Sequence, residues 1–278
     1  MKADLHLHTT ASDGGLTPAE LVTRSANLGL KVIAVTDHDS VEGIPTAVEA
    51  ARNYPQITLI PGVEISTDIP KNEIHMLGYF MDCKDKKLND ELSRLRISRQ
   101  TRAEKMAARL TELGLPIDYA RVLQLAGDGS VGRPHIAQAM LENGHIDDFR
   151  QAFDSYIGRN GPAYVEREKM LPEEAVALIA KAGGLPALAH PADIEDIKKL
   201  LPLYIEHGLV GLETYYYGYN EQTVKRLAGL ADQYGLIATG GSDYHNDNGT
   251  AGGPLGGVDI PRKSIDRLLS LAREKGLI

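Results

Sequence analysis

Residues 3–9 read Ala-Asp-Leu-His-Leu-His-Thr, and residues 32–39 read Val-Ile-Ala-Val-Thr-Asp-His-Asp. Each is a short apolar run that ends among imidazoles or carboxylates, and each is followed by a helical stretch. Side chains on a strand alternate between its faces, so His6 and His8 point to one side and Leu5 and Leu7 to the other. The same succession recurs along the chain. Residues 57–66, 74–80, 185–190, 209–215 and 236–243 are further candidate strands, which makes seven. They are mostly short and apolar, as strands covered on both faces must be.

Helical patterns separate most of these runs. Thr17-Pro18-Ala19-Glu20 combines a capping box with proline at the first helical position, which predicts a helix from there to about residue 27, with Gly29 as its stop. Residues 42–52, 172–182, 221–234 and 264–275 repeat apolar residues at spacings of three and four. Strand alternating with helix implies a parallel sheet, and the number of repeats favours a barrel over an open sheet. The rhythm breaks between about 85 and 165. A long charge-rich helix is expected over 89–113, then shorter helical pieces near 118–125, 134–142 and 147–157. The expected organisation is an α/β barrel over 1–88 and 165–278, interrupted by a small helical insertion over 89–164 that caps the substrate. The first insertion helix is strongly basic: Arg94, Arg96, Arg99, Arg102, Lys105 and Arg109 face only Glu104 between positions 94 and 109. The expectation for it is a solvated surface helix.

Bulk properties narrow the function classes. The 278 residues suffice for one large domain, or one domain carrying an insertion. Cys83 is the only cysteine, which excludes an internal disulfide and a thiolate metal site, and it reads as a passive thiol. The net charge of −8 argues against a protein that coats nucleic acid through a broad basic surface, while leaving room for a small anionic substrate. No apolar run is long enough to span a bilayer. Met1-Lys2-Ala3-Asp4 leads into a strand without the apolar core of a secretion signal. A cytoplasmic protein is expected, with no membrane association and no stable protein partner.

The chemistry lies in the histidines. Of nine, six fall in or just beyond a predicted strand: His6, His8, His38, His75, His190 and His245. Asp13, Glu64 and Asp243 share those locations. In a parallel barrel the C-terminal ends of the strands converge on one face, so these residues are expected to meet. Taken singly, His75 reads as a core histidine and Glu64 as a surface carboxylate. Together they would bury many polar groups around one axis, at heavy cost unless something satisfies them. Six imidazoles and three carboxylates suit two or three divalent ions held by nitrogen and oxygen. Manganese is the expected ion, and iron and zinc are compatible with the same donors.

His6-x-His8, Ser12-Asp13-Gly14, Thr36-Asp37-His38-Asp39, Gly62-x-Glu64, His75-x-Leu77, His190-Pro191 and Ser242-Asp243-x-His245 follow one another in the order found in the PHP (polymerase and histidinol phosphatase) family, which the chain resembles from residue 4 to about 257. The resemblance implies a distorted seven-stranded (β/α) barrel with a trinuclear site. It implies that His6, His8 and Asp243 hold one metal. Glu64, bridging from the first, joins His75 and His190 at the second, and Asp13, His38 and His245 hold the third.

Closely spaced divalent ions lower the pKa of a shared water, so the expected reaction is phosphate-ester hydrolysis by in-line attack of a metal-bridging hydroxide. No residue is assigned as general acid. Gly129-Ser130-Val131-Gly132-Arg133-Pro134-His135 offers backbone N–H groups, an arginine suited to phosphate and a proline able to open a helix. The segment from Arg159 to Val165 is a weaker candidate of the same kind. Ser130, Arg133, His135 and Arg159 are the candidate substrate contacts. With the helical insertion, the segment looks like the branch of the family that removes phosphate from nucleoside 3′,5′-bisphosphates or trims short oligonucleotides. That resemblance implies the 3′-phosphate of a bisphosphate, or short RNA attacked from its 5′ end, as substrate. The alternatives are a histidinol-phosphate phosphatase, a non-catalytic metal-binding PHP module, and a metal-dependent amidohydrolase or lactonase. Tyr215, Tyr216, Tyr217 and Tyr219 are expected to pack or to face solvent, with base stacking as the alternative. Glu213, Asp37 and Asp39 are expected to hydrogen-bond the ligands. His145 and His207 read as surface histidines.

Overall fold

The computed structural model describes residues 2–69, 73–166, 168, 170–247 and 252–278. One sheet carries seven strands in chain order: β1 (Ala3–Leu7), β2 (Val32–Val35), β3 (Thr58–Asp68), β4 (Glu73–Tyr79), β5 (Leu185–Leu188), β6 (Gly211–Tyr216) and β7 (Ile237–Gly241). A bridge between Leu7 and Tyr244, with the His8 amide donating to the Tyr244 carbonyl at 3.0 Å, joins the two ends into a nearly closed barrel.

Among the described residues ten α-helices accompany the strands. They are α1 (Pro18–Asn27), α2 (Ile44–Ala51), α3 (Lys86–Glu112), α4 (Tyr119–Ala126), α5 (Arg133–Glu142), α6 (Phe149–Ala152), α7 (Pro172–Lys181), α8 (Ile197–Glu206), α9 (Glu221–Gln233) and α10 (Arg262–Glu274). The predicted capping box opens α1: Thr17 accepts from the Glu20 amide and Glu20 accepts from the Thr17 amide. Helix α8 lies outside the helices expected from the sequence. Pro202 lies inside it, and Asp196 at its start has φ +55° and no side-chain cap, so both usual signals are absent. Proline cannot donate to the carbonyl four residues back. The Tyr234 hydroxyl donates to that Lys198 carbonyl at 3.3 Å.

The sheet is mixed, where alternation of strand and helix had implied a parallel one. Strand β4 runs antiparallel to both β3 and β5. Only residues 69–72 separate β3 from β4, too few for a helical crossover, so the pair forms a hairpin. The reversal matters for the site. His75 lies near the start of β4, yet the reversal brings it to the end of the barrel where the parallel strands finish.

Apolar residues from six strands, among them Leu5, Ala34, Ile60, Leu77, Ala187 and Ile237, form one cluster. Residues spaced around a barrel in this way can meet only in its interior. Ile265, Leu268 and Leu269 of α10 join them and close the end away from the histidines. A second layer packs the outer helices on the sheet, for example Leu21 and Val22 of α1 against Ile33 and Val35. Helices α3 to α6 carry their own apolar cluster, which includes Met106, Leu110, Ile136 and Met140. The basic face of α3 is not fully solvated as expected: Arg99 and Arg102 are buried. No helix among the described residues is long and apolar enough to cross a membrane.

Leu268 is 1% exposed at the closed end of the barrel. Leu268→Ala is expected to cost about 2–5 kcal/mol in urea unfolding of the metal-free protein. A loss below about 1 kcal/mol would contradict the placement of α10 as the plug of the interior.

Candidate metal centre

The nine predicted side chains converge at the open end of the barrel. His6 is on β1 and His8 just past its end. The chain then folds back on itself, with Ser12 and Gly14 amides donating to the Thr9 carbonyl at 3.0 and 2.9 Å. Asp37 fixes this turn by accepting from the Thr9 amide at 2.7 Å and the Ser12 hydroxyl at 2.6 Å. Glycine is required at position 14, because a Cβ there would lie 2.5 Å from the His8 carbonyl oxygen. The turn carries Asp13 back over β1, with Asp13 Oδ1 3.9 Å from His8 Nδ1 and 3.5 Å from His245 Nε2.

Glu64 sits at the centre. Its Oε2 is 3.3 Å from His6 Nε2, 3.3 Å from His8 Nε2 and 2.9 Å from His38 Nδ1. Its Oε1 is 2.8 Å from His75 Nδ1 and 3.1 Å from His190 Nε2. One carboxylate therefore touches five imidazoles. Asp243 Oδ1 approaches His6 Nε2 at 3.2 Å and His8 Nε2 at 3.0 Å. Candidate ligand atoms fall into three overlapping groups, each within 4.8 Å: His6, His8, Glu64 and Asp243; His8, Asp13, His38 and His245; and His38, Glu64 and His75. His190 reaches the third group through Glu64.

The donor set fits divalent cations. Among the described residues, His6 Nε2, Asp13 Oδ1, His38 Nδ1, Glu64 Oε2 and His75 Nε2 are buried without a hydrogen-bond partner. Buried polar atoms are rarely left so, and five in one cluster mark a place where another species completes their bonding. The surrounding groups aim the free nitrogens inward. Glu213 is fully buried, meets His6 Nδ1 at 3.0 Å and accepts from the His190 amide at 2.7 Å. A carboxylate at Nδ1 keeps the proton there and leaves Nε2 free to bind. His245 Nδ1 likewise donates to the Asp243 carbonyl at 2.8 Å, which turns its Nε2 towards Asp13.

The backbone is strained where the ligands are delivered. Asp39, His190 and Asp243 have φ of +51°, +27° and +55°. Each such residue costs on the order of 1–3 kcal/mol, which the surrounding contacts must offset. The charges are strongly coupled. Burial pulls the His8 imidazolium down, but Asp243 and Glu64 outweigh it and push the group up to about 10. Burial opposes His75 too, and Glu64 and Glu73 push it up to about 9. His38, for which burial prevails, falls to about 4. Glu64 is held well below the usual carboxylate range against its own burial by His38, His75 and His6.

The helical segment reaches the rim. A Cβ on Gly129 would lie 2.5 Å from the Thr10 carbonyl oxygen, and one on Gly132 would lie 3.0 Å from Asp13 Oδ2. The glycines thus let residues 129–132 press against the ligand loop. Ser130 is buried, and its hydroxyl has no hydrogen-bond partner among the described residues. The Arg133 guanidinium bonds Glu73 at 2.7 Å and lies over the Phe153 ring. His135 Nδ1 accepts from the Gly132 amide at 3.0 Å, and burial pulls the imidazole pKa down. Arg159 is turned to Asp68 at 3.0 Å and to the Ile69 carbonyl at 3.3 Å. His145 and His207 bond the Pro116 and Leu203 carbonyls away from the cluster.

Two residues matter more than the sequence suggested. Arg99 Nε bonds Asp39 Oδ2 at 2.6 Å, and its Nη2 donates to Ser66 Oγ at 2.5 Å. Its signal was position: it continues the buried stripe of Leu92, Leu95 and Met106 on α3. The Tyr216 hydroxyl donates to Asp243 Oδ2 at 2.8 Å. No sequence pattern pointed to that bond.

Fold and site together define a barrel hydrolase built around a His/Asp/Glu cluster that can bind several metal ions. The PHP domain pattern matches residues 4–166. The chain is 36% identical over 247 residues to the 5′-3′ exoribonuclease Rnm of Salmonella typhimurium, covering 87% of this chain and 84% of that one. It is 31% identical over 247 residues to the 3′,5′-nucleoside bisphosphate phosphatase of Chromobacterium violaceum, covering 87% and 86%. A solved structure from Bifidobacterium adolescentis, assigned as a metal-dependent phosphoesterase, matches with a TM-score of 0.88 at 29% identity over 96% of this chain and 95% of that one. The chain belongs to the PHP family of metal-dependent phosphoesterases.

Before metal binds, His8 and His75 hold protons up to about pH 10 and about pH 9. Cations can take those nitrogens only as the protons leave. Against its burial, His6 is likewise raised well above its ordinary value by Asp243, Glu213 and Glu64. Affinity should therefore rise with pH between about 6 and 9, with at least about two protons released per protein at pH 7.5. Calorimetric titration in two buffers of different ionisation heat measures the release, and identical heats in both would contradict it.

Proposed function

We propose that this chain hydrolyses phosphate esters of nucleotides, foremost the 3′-phosphate of nucleoside 3′,5′-bisphosphates, and that it also shortens small oligoribonucleotides from the 5′ end. The carrying observation is the Glu64 carboxylate enclosed by five imidazoles, with Ser130, Arg133 and His135 on the segment that closes over Asp13. The names of the exoribonuclease and bisphosphate phosphatase relatives support the substrate class.

In this reading His6, His8 and Asp243 hold one cation. Glu64, with His75 and His190, would hold a second. Asp13, His38 and His245 hold a third. Manganese is the ion we favour, and iron and zinc are compatible with the same imidazole and carboxylate donors. When bound, such cations supply Lewis acidity towards phosphoryl oxygens and lower the pKa of water.

The chain's own residues do the rest. Glu213 fixes the His6 tautomer and, through the His190 amide, the strained turn after β5. The Ser130 hydroxyl is a buried donor with no partner among the described residues, available to a phosphate oxygen. His135 keeps its proton on Nε2, because Nδ1 accepts from Gly132. Its lowered pKa makes it a neutral donor near pH 7. Arg133 brings a cation to the same segment, where it can bond a second phosphate. Arg159, bonded to Asp68, anchors the cap to β3 in this account. An arginine and a free hydroxyl suit a second phosphate better than the cationic amine of histidinol phosphate.

A phosphate-release assay of the manganese-loaded protein tests the reading with adenosine 3′,5′-bisphosphate, AMP, histidinol phosphate and a short RNA. The bisphosphate should be turned over fastest. Arg133→Met should raise its KM roughly 10–100-fold, the worth of one charged hydrogen bond, while leaving AMP turnover within about threefold. Equal turnover of AMP and bisphosphate by the parent protein would remove the second-phosphate site.

A further inference from the structure

We propose that Tyr216 is a positioning residue that makes Asp243 a one-oxygen ligand, with Oδ1 presented to the cluster and Oδ2 held by the phenol. The inference rests on the metal reading above and concerns how one of its carboxylates is set.

The two oxygens of Asp243 have different surroundings. Oδ1 faces His6 Nε2 at 3.2 Å and His8 Nε2 at 3.0 Å. Oδ2 accepts from the Tyr216 hydroxyl at 2.8 Å. The backbone beneath is already fixed. Asp4 accepts from the Ser242 amide at 2.8 Å and the Ser242 hydroxyl at 2.6 Å. The Gly253 amide donates to the Ser242 carbonyl at 2.7 Å, and Asp243 itself is pinned at φ +55°. What remains free is rotation of the carboxylate about its last bond, a soft torsion with two nearly equivalent orientations. The two oxygens are equivalent, so a hydrogen bond to one of them fixes the plane of the carboxylate and leaves the other facing the imidazoles.

Tyr216 is itself held for this task. Its backbone pairs with Gly241 in the β6–β7 ladder, next to the turn that bears Asp243. Its ring meets His190 edge-on at 5.7 Å and packs on Tyr219 at 4.9 Å. The Tyr219 hydroxyl accepts from the Ala192 amide at 3.0 Å, which ties the pair to the turn carrying His190. One phenol thereby links ligands delivered by β5 and β7. Without its hydroxyl, Asp243 can rotate or offer both oxygens, and the ligand field it provides changes.

Tyr216→Phe removes one oxygen atom and leaves the ring contacts, so the fold should survive. Metal-free parent and variant are titrated with cobalt(II), following visible absorption and affinity against a chelator. The variant should keep the parent's thermal midpoint without metal, shift the cobalt absorption bands and bind roughly 10-fold more weakly or worse. Its kcat should fall by a similar factor, with KM within about twofold. Tyr219→Phe, which loses the hydroxyl facing Ala192 and touches no Asp243 oxygen, should leave the absorption bands unchanged. A Tyr216→Phe protein with the parent's bands and affinity overturns the assignment, as does a Tyr219→Phe protein that shifts the bands equally. A parent protein that takes up no cobalt overturns both this inference and the metal reading, so the two failures are told apart.

Discussion

The Glu64 carboxylate is 1% exposed and stands among five imidazoles, and much of the molecule can be understood as the means of keeping it there. A buried carboxylate stays ionised only when positive charge and hydrogen bonds surround it. In the metal-free protein, protonated histidines provide that charge, which is why His8 and His75 are pushed up while Glu64 is pushed down. Protons and metal ions are thus alternative occupants of one electrostatic need. The unpartnered buried atoms show that protons meet it incompletely.

Bringing those groups together requires the barrel's irregularities more than its regular parts. The β3–β4 hairpin reverses one strand, so that His75 arrives beside Glu64 at the open end. Left-handed residues turn the chain sharply at Asp39, His190 and Asp243. Buried bonds offset that strain: Asp4 beneath Ser242, Asp37 beneath the Asp13 loop, Glu213 beneath both His6 and His190. Arg99 extends the network to α3, because its guanidinium spans Asp39 and Ser66 on the barrel. Removing one partner of such a buried pair costs about 3–5 kcal/mol, so α3 and the His38 turn are energetically one unit.

Much of the barrel and the nine ligand candidates could be read from sequence, because both leave local marks. Short apolar runs ending in His or Asp identify strand ends, and Thr17 with Glu20 announces α1. The reversal of β4 was not read, since the alternating pattern of a strand is the same in either direction. Helix α8 was hidden by its internal Pro202 and its uncapped start. Arg99 looked like one of several surface arginines, although its place in the stripe with Leu95 and Met106 marked it as inward-facing. The Tyr216–Asp243 bond joins the end of β6 to the turn after β7, 27 residues away, and nothing local to either encodes it. Contacts of that kind depend on register and on a bulge between Glu213 and Tyr215, which only the folded sheet reveals.

A Glu64 carboxylate shared between cations is the central requirement of the proposed site. Anomalous diffraction from manganese-loaded crystals, collected on both sides of the manganese edge, addresses it most directly. The prediction is two or three anomalous peaks among the nine ligands, with two of them within bonding distance of Glu64 oxygens. A saturated crystal in which Glu64 keeps its imidazole contacts and the peaks lie elsewhere would contradict it.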